Sequence, residues 1–347
     1  MNESLFLGSF ILLIAGFLTL DLGVFNKNSH TVSVKEALTF TALWVSLAIG
    51  FFFFLRYFGH WIHNIQTMDE LLKINENHRH GLAFAADADF LSSLQQYRKH
   101  LSLEFITGYI IEYALSIDNI FVMLMIFMSF GVDKKYYHRV LFWGIVGAVV
   151  MRFLFIFSLS ALIHEFEWIL AVFGVILIFS AVKMFLNRHE EEKIDVREHK
   201  VVKFVSKHFP VTSNYMGQKF FAKIDGKHYL TPLFLVLLII EFSDVIFAVD
   251  SVPAIFSVTQ DSYIVFFSNI FAIIGLRSLF FLLSSIVGMF RFLKTGLSVL
   301  LAFVGVKMLL EILFHIPIGI TASLLFILST LVLCIVLSVI IKEKDSN

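Results

Sequence analysis

The sequence predicts an all-α fold: a polytopic membrane helix bundle of about nine transmembrane helices containing an inverted three-plus-three helix repeat. Composition, the lengths of the apolar runs and a repeated order of rare polar residues predict it. Of 347 residues, 58% are hydrophobic and 16% charged, with mean hydropathy +0.85. Soluble domains are roughly half apolar and a quarter charged, so lipid is the solvent for most of this chain. Forty-two Phe and four Pro suit helices packed against acyl chains, whereas a transmembrane barrel has short alternating segments and many turns.

Windows long enough to cross roughly 30 Å of hydrocarbon place the elements in order. The first span is 5–25; no Lys or Arg precedes it and no small-residue cleavage site follows, so it reads as a retained span rather than a removable signal. The second is 37–58, followed by a long loop at 59–104 that carries His60, His63, His78, His80 and His100. His60 and His63 could share a helix face and His78 and His80 could chelate, but no fixed ligand geometry is evident, so the loop reads as solvated. Spans at 105–130, 140–163 and 168–186 make the first repeat unit, about 105–186. The segment 187–231, with Glu190, Glu191 and Glu192, reads as a solvated cytoplasmic linker with some amphipathic helix. Spans at 232–257, 263–286 and 296–314 make the second unit, about 232–314, and 320–341 ends the set. The whole chain, 1–347, is one membrane domain.

Loops on the side of the C-terminus hold Lys27, Lys35, Lys134, Lys135, Arg139, the many bases of 187–231, Arg291, Lys294, Lys342 and Lys344. The other side holds only Arg56, Lys73, Arg79, Arg98 and Lys99. The positive-inside rule therefore puts the N-terminus outside and the C-terminus in the cytoplasm. The one cysteine, Cys334, rules out an intrachain disulfide and a thiolate cluster. Formal net charge is zero, and no basic stripe suggests nucleic acid.

The run 112–119 aligns with 244–251 as acid, five residues, Asp, small polar residue. Downstream, 143–152 falls on 268–277, each ending in Arg, and 173–184 falls on 297–308, each ending in Lys-Met. An odd number of spans per unit inverts the second copy, the architecture many secondary transporters build around a midplane site.

The spans contain Asp21, Glu112, Asp118, Glu241, Asp244, Asp250 and Glu311, against Arg152, Lys183, Arg277 and Lys307. A charge near a helix centre costs roughly 2.5–3.5 kcal/mol on insertion scales, so these residues face a bundle interior or water. Internal pairing accounts for part of the set: Lys307 and Glu311 are spaced i to i+4, and Arg152 or Arg277 can neutralise acids on neighbouring helices. The acids still outnumber the bases, so protons or a cation must balance the excess. Glu241 and Asp244, three apart, share a face. Glu112 and Asp118, six apart, converge only if the helix is broken locally, and Pro253, after Asp250, frees a carbonyl that could mark such a break. Carboxylates, the Asn119 amide oxygen and the freed carbonyl are hard oxygen ligands, suited to Mn²⁺, Mg²⁺ or Ca²⁺. Asp21 could complete the site or cap the first span.

At these runs the sequence resembles a known family. TGYIIEYALSIDN at 107–119 and EFSDVIFAVDSVPAIF at 241–256 closely resemble the signature segments of the TerC family, particularly its Alx-type members, and SNIFAIIGLR at 268–277 also fits. The resemblance implies an inner-membrane protein of metal homeostasis, with members linked to manganese export and others to tellurite resistance. It carries the family's acidic positions onto Glu112, Asp118, Asn119, Glu241, Asp244, Asp250 and Ser251, with Asp21 in LDLGVF also matching. The longer loop at 59–104 departs from the family pattern.

The expected function is efflux of a divalent cation, Mn²⁺ foremost, through a carboxylate-lined midplane site, with protons as counter-ions and no cofactor required. Arg152, Arg277, Lys183 and Lys307 balance charge. The rival reading is a non-transporting scaffold or redox and metal-stress module that recruits cytoplasmic partners through the linker. No nucleophile–base pair or phosphate loop points to an enzyme. Tellurite is an oxyanion that an acid-lined site repels.

Overall fold

The computed structural model describes residues 3–25, 33–85, 87–187, 200–284 and 292–340, without the side chains of residues 20–25, 200, 293 and 339. Asp21 therefore lies outside the described side chains, as Glu190, Glu191 and Glu192 lie outside the described residues. The chain order is α1 Glu3–Phe25, α2 Val34–Phe58, a short 3₁₀ turn Gly59–Trp61, α3 Met68–Asn77, α4 Phe90–Ser129, α5 Lys134–Glu165, α6 Trp168–Leu186 and α7 Lys200–His208. Strands β1 Phe221–Ile224 and β2 Lys227–Leu230 follow, then α8 Pro232–Phe256, α9 Ser262–Ser284, α10 Leu293–Phe314 and α11 Ile320–Ile340. Among the described residues, eight helices are long and apolar enough to cross a membrane, and α1 is apolar over Glu3–Thr19. The eight coincide with the second to ninth expected spans, and α1 lies where the first was expected.

Helix α9 is the central post. Ninety-four per cent of its apolar window is buried, against 17% for α11, so α9 is enclosed by protein while α11 keeps an apolar face for lipid. Helices α4 and α5 each pack against both α8 and α9, and α6 runs along α10. Gly174 on α6 and Gly305 on α10 allow that last approach. A Cβ on Gly305 would stand 2.7 Å from the Gly174 carbonyl oxygen, and one on Gly174 would stand 3.1 Å from the Gly305 carbonyl oxygen. Phenylalanines join α1 and α2 to the post, with Phe10 and Phe267 ring centroids 4.4 Å apart and Phe51 and Phe271 4.9 Å apart.

Two expectations require correction here. The helices through the acidic runs are unbroken: α4 and α8 continue past Asn119 and Ser251. Pro253 sits in the final turn of α8, where losing one backbone donor does not end the helix early. The segment 59–104 is not a solvated loop. Thr67 and Glu70 form a reciprocal capping box that starts α3. Helix α4 starts at Phe90, within the expected loop, and its 40 residues span about 60 Å, twice the hydrocarbon thickness.

The linker holds the expected amphipathic helix, α7, and also an antiparallel hairpin pairing Phe221 with Leu230 and Ile224 with Lys227. Asp225 and Gly226, with φ of 50° and 78°, form its two-residue turn, whose left-handed backbone suits Asp-Gly. Tyr215 Oη donates to the Phe130 carbonyl at 2.7 Å, tying this segment to the end of α4.

Candidate functional site

Four helices bring a closed polar network to the centre of the bundle. Glu112 on α4, Arg152 on α5 and Asn269 on α9 are fully buried, and Asp244 on α8 is 4% exposed. The Arg152 guanidinium holds Asp244 through two parallel hydrogen bonds, Nη2 to Oδ1 at 3.2 Å and Nε to Oδ2 at 3.4 Å. Its Nη1 donates to Glu112 Oε1 and to Asn269 Oδ1. Asn269 Nδ2 donates to Glu112 Oε2 at 3.2 Å, and Ser116 Oγ to Glu112 Oε1 at 3.5 Å. The planar fork of arginine makes this paired geometry available, which a lysine point charge does not.

Glu112 and Asp244, which align when the run 112–119 is laid on 244–251, meet at one arginine. Arg277, the counterpart of Arg152, is 6% exposed and donates from Nη1 to His138 Nε2 at 3.1 Å. With Asp244 and Met123 it lines a narrow cavity between α4, α5, α8 and α9.

The remaining expected residues are distributed differently. Asp250 is half-buried and accepts from Ser180 Oγ on α6 at 3.1 Å, with Lys183 close enough to act on its charge. Ser251 is 2% exposed, and its buried Oγ has no hydrogen-bond partner. Asn119 is buried and Asp118 half-buried. Glu241 and Asp244 diverge despite their spacing. Asp244 turns inward to Arg152, whereas the Glu241 carboxylate lies over Gly147 of α5, at an apolar groove with Trp143, Met151 and Leu238. A Cβ at residue 147 would collide with that carboxylate. Lys307 places its ammonium on the Ser257 carbonyl at 2.6 Å rather than in the expected bond to Glu311, because the C-terminal carbonyls of α8 offer a buried, partly negative acceptor.

A second polar cluster lies at the end of the bundle that carries α3, where the histidine geometry expected to be absent is well defined. His63 is wedged between two carboxylates: Nδ1 donates to Glu3 Oε1 and Nε2 to Asp261 Oδ2, each at 2.9 Å. Burial alone would lower the His63 pKa, but the Asp261 charge and the hydrogen bonds to Asp261 and Glu3 raise it to about 9. Burial would raise the Asp261 pKa, but the charges of His63 and His78 hold it well below the usual carboxylate range. Asp261 also caps α9, accepting from Tyr263 N at 2.9 Å and Ile264 N at 3.4 Å. Its place just before the helix signals that cap in the sequence; nothing there signals the long-range bond to His63. Asn269 and Glu104 were likewise missed, the first standing unremarked inside an apolar helix.

The helix bundle and its buried ionic centre define a multi-span integral membrane protein of all-α class. The sequence model of the integral membrane protein TerC family matches residues 97–346. Relatives named "Putative membrane-bound redox modulator Alx" include one from Photorhabdus laumondii, 39% identical over 100% of this chain and 98% of its own length, and one from Escherichia coli K12, 38% identical over 92% and 90%. An uncharacterized membrane protein of Myxococcus xanthus is 42% identical over 86% of this chain and 81% of its own. No solved structure matches. The chain belongs to the TerC family. Most of the segment 59–104 falls outside the family's matched residues, yet the Photorhabdus alignment extends over the whole chain, so that segment is no peculiarity of this protein.

Proposed function

We propose that this protein exports a divalent metal cation, Mn²⁺ foremost, across the inner membrane through a site between α4 and α8, in exchange for protons. The observation that carries the reading is the sharing of one guanidinium by Glu112 and Asp244 in a fully buried network. Two carboxylates and one arginine leave that network a negative charge when all are ionised, and a buried excess of this kind attracts a proton or a cation. The oxygens that converge there, on Glu112, Asp244 and Asn269, favour a hard ion over a soft one, and Asp118 with Asn119 and Asp250 with Ser251, six and seven residues further along the unbroken helices, supply further oxygens along the ion's path. The unpartnered Ser251 Oγ beside Asp250 adds a ligand atom with no competing bond.

In this conformation Arg152 occupies the carboxylates. A cation entering from the cytoplasmic side displaces the guanidinium from one of them, and the arginine returns as the ion leaves. The network carries one net negative charge without the ion and one net positive charge with it, so a proton taken up in the metal-free state compensates the return step and couples it to the exchange. Glu241, on α8 but turned away from Arg152 into the groove over Gly147 of α5, serves as a proton carrier rather than a ligand. The packing of α4 on α9 and of α5 on α8 supports two inverted units rocking about the site, with the N-terminus outside and the C-terminus in the cytoplasm. No reacting constellation of an enzyme enters this reading.

The test is purified protein in liposomes, with uptake of Mn²⁺, Mg²⁺, Ca²⁺ and Zn²⁺ measured under an imposed pH gradient. Asp118→Asn and Asp250→Asn abolish Mn²⁺ flux while the protein stays in the membrane; undiminished flux in the double variant overturns the reading. The relatives' description as redox modulators favours a second reading, a stress module that recruits soluble partners through 187–231. Deleting 200–230 then removes function in cells, whereas a transporter core keeps its basal flux.

A further inference from the structure

His80, from the loop after α3, and His100 and Glu104, one helical turn apart on α4, converge at the α3 end of the bundle. His80 Nδ1 lies 3.0 Å and His100 Nε2 3.2 Å from the same oxygen, Glu104 Oε1. The three ligand atoms are all within 4.8 Å of one another. The side chains of His80 and Glu104 are 0% and 2% exposed, and that of His100 is 22% exposed. Glu104 Oε2 and His80 Nε2 are buried without a hydrogen-bond partner. Buried polar atoms are almost always satisfied, and leaving them unpaired costs about 1–3 kcal/mol each. Two imidazoles crowding one carboxylate oxygen while its other oxygen is unpaired is therefore a poor arrangement for packing alone.

We propose that His80, His100 and Glu104 form a binding site for a divalent transition metal of the zinc class, separate from the carboxylates between α4 and α8. Ligand separations of 3.0 and 3.2 Å match neighbouring corners of a coordination sphere with bonds of about 2.1 Å. Two nitrogens and one oxygen suit a borderline ion such as Zn²⁺, unlike the hard, all-oxygen set of the central site. Three protein ligands leave a position for water or an exchanging ligand. Access is provided by the partly exposed His100; a pocket lined by His78, Arg79, His164 and Gln260 lies nearby, with the His78 and His80 ring centroids 5.9 Å apart. The neighbouring His63 is not part of the site, because carboxylates engage both its nitrogens. The proposal uses no residue of the transport reading and stands or falls without it.

The full-length protein, purified in detergent and stripped with a chelator, is titrated with Zn²⁺ and, for its visible absorption, with Co²⁺. The parent binds one more equivalent than His100→Ala or Glu104→Gln, and its Co²⁺ spectrum carries the bands of mixed nitrogen and oxygen ligation. Each variant lacks one of three direct ligands and so weakens that binding step by more than the roughly 100-fold that loss of an outer partner costs at most. His100→Ala removes a partly exposed side chain and elutes as the parent does in size exclusion, which separates loss of a ligand from loss of fold. A parent that binds no Zn²⁺ in excess of the variants, or variants that bind as tightly as the parent, overturns the proposal.

Discussion

Arg152 and Asp244, on different helices and 92 residues apart in sequence, meet through two parallel hydrogen bonds of 3.2 and 3.4 Å at the buried centre of the bundle. The contact joins α5 to α8. Any relative movement of these two helices therefore stretches or breaks this pair.

Removing the guanidinium leaves Glu112 and Asp244 buried together without compensation. Arg152→Ala should destabilise the protein by about 3–5 kcal/mol, the usual cost of breaking a buried ion pair from one side. The combination Arg152→Met, Glu112→Gln, Asp244→Asn removes the charges together and should recover most of the loss. Thermal unfolding in detergent, followed by fluorescence, distinguishes the two.

The glycine contact between α6 and α10 tolerates no side chain. Gly305→Val places its Cβ 2.7 Å from the Gly174 carbonyl oxygen and 2.8 Å from Ile178 Cγ1, and overpacking of this kind costs about 1–3 kcal/mol. Gly50 on α2 has nothing within 4 Å of an added Cβ, so Gly50→Ala should lose no stability. Melting temperatures of the pair, measured side by side, test the contact.

The His63 bridge predicts a pH dependence with a definite sign. Its folded pKa, about 9, lies above the unfolded value of roughly 6.5, so the protonated form stabilises the fold. That contribution, on the order of 3 kcal/mol, is complete below about pH 6.5 and is lost as pH rises through about 9. Unfolding scans from pH 6 to 10 in chelator should show this fall in the parent, and His63→Gln should flatten it. An equal fall in both proteins would assign the effect to other groups.

Single substitutions at the central carboxylates separate binding from scaffold. Glu112→Gln keeps an acceptor for Arg152 Nη1 but removes the network's excess charge. Because its amide NH2 then faces Asn269 Nδ2, it should fold with about 1–3 kcal/mol less stability than the parent and lose most Mn²⁺ flux in liposomes. Full flux in this variant would argue against an electrostatic role for the site.

The apolar runs by themselves determined the membrane bundle, because hydrocarbon leaves a backbone few ways to satisfy its hydrogen bonds, and a long apolar run crosses as a helix. The rare polar residues in those runs likewise made Glu112, Arg152 and Asp244 legible as interior, since lipid penalises them anywhere else. Partner choice was not legible. Glu241 and Asp244 share a helix spacing, yet the packing of α5 against α8 sends one to Gly147 and the other to Arg152. Lys307 has Glu311 one turn away and instead takes a carbonyl of another helix. At the histidine-rich end, the helix caps at Thr67 and Asp261 were within reach of local rules. The meeting of His63 with Asp261, and of His80 with Glu104, depended on α3, α4 and the turn before α9 arriving at one place. Only the tertiary structure decided that, because a hydrogen bond between residues 198 apart leaves no periodicity for a sequence to display.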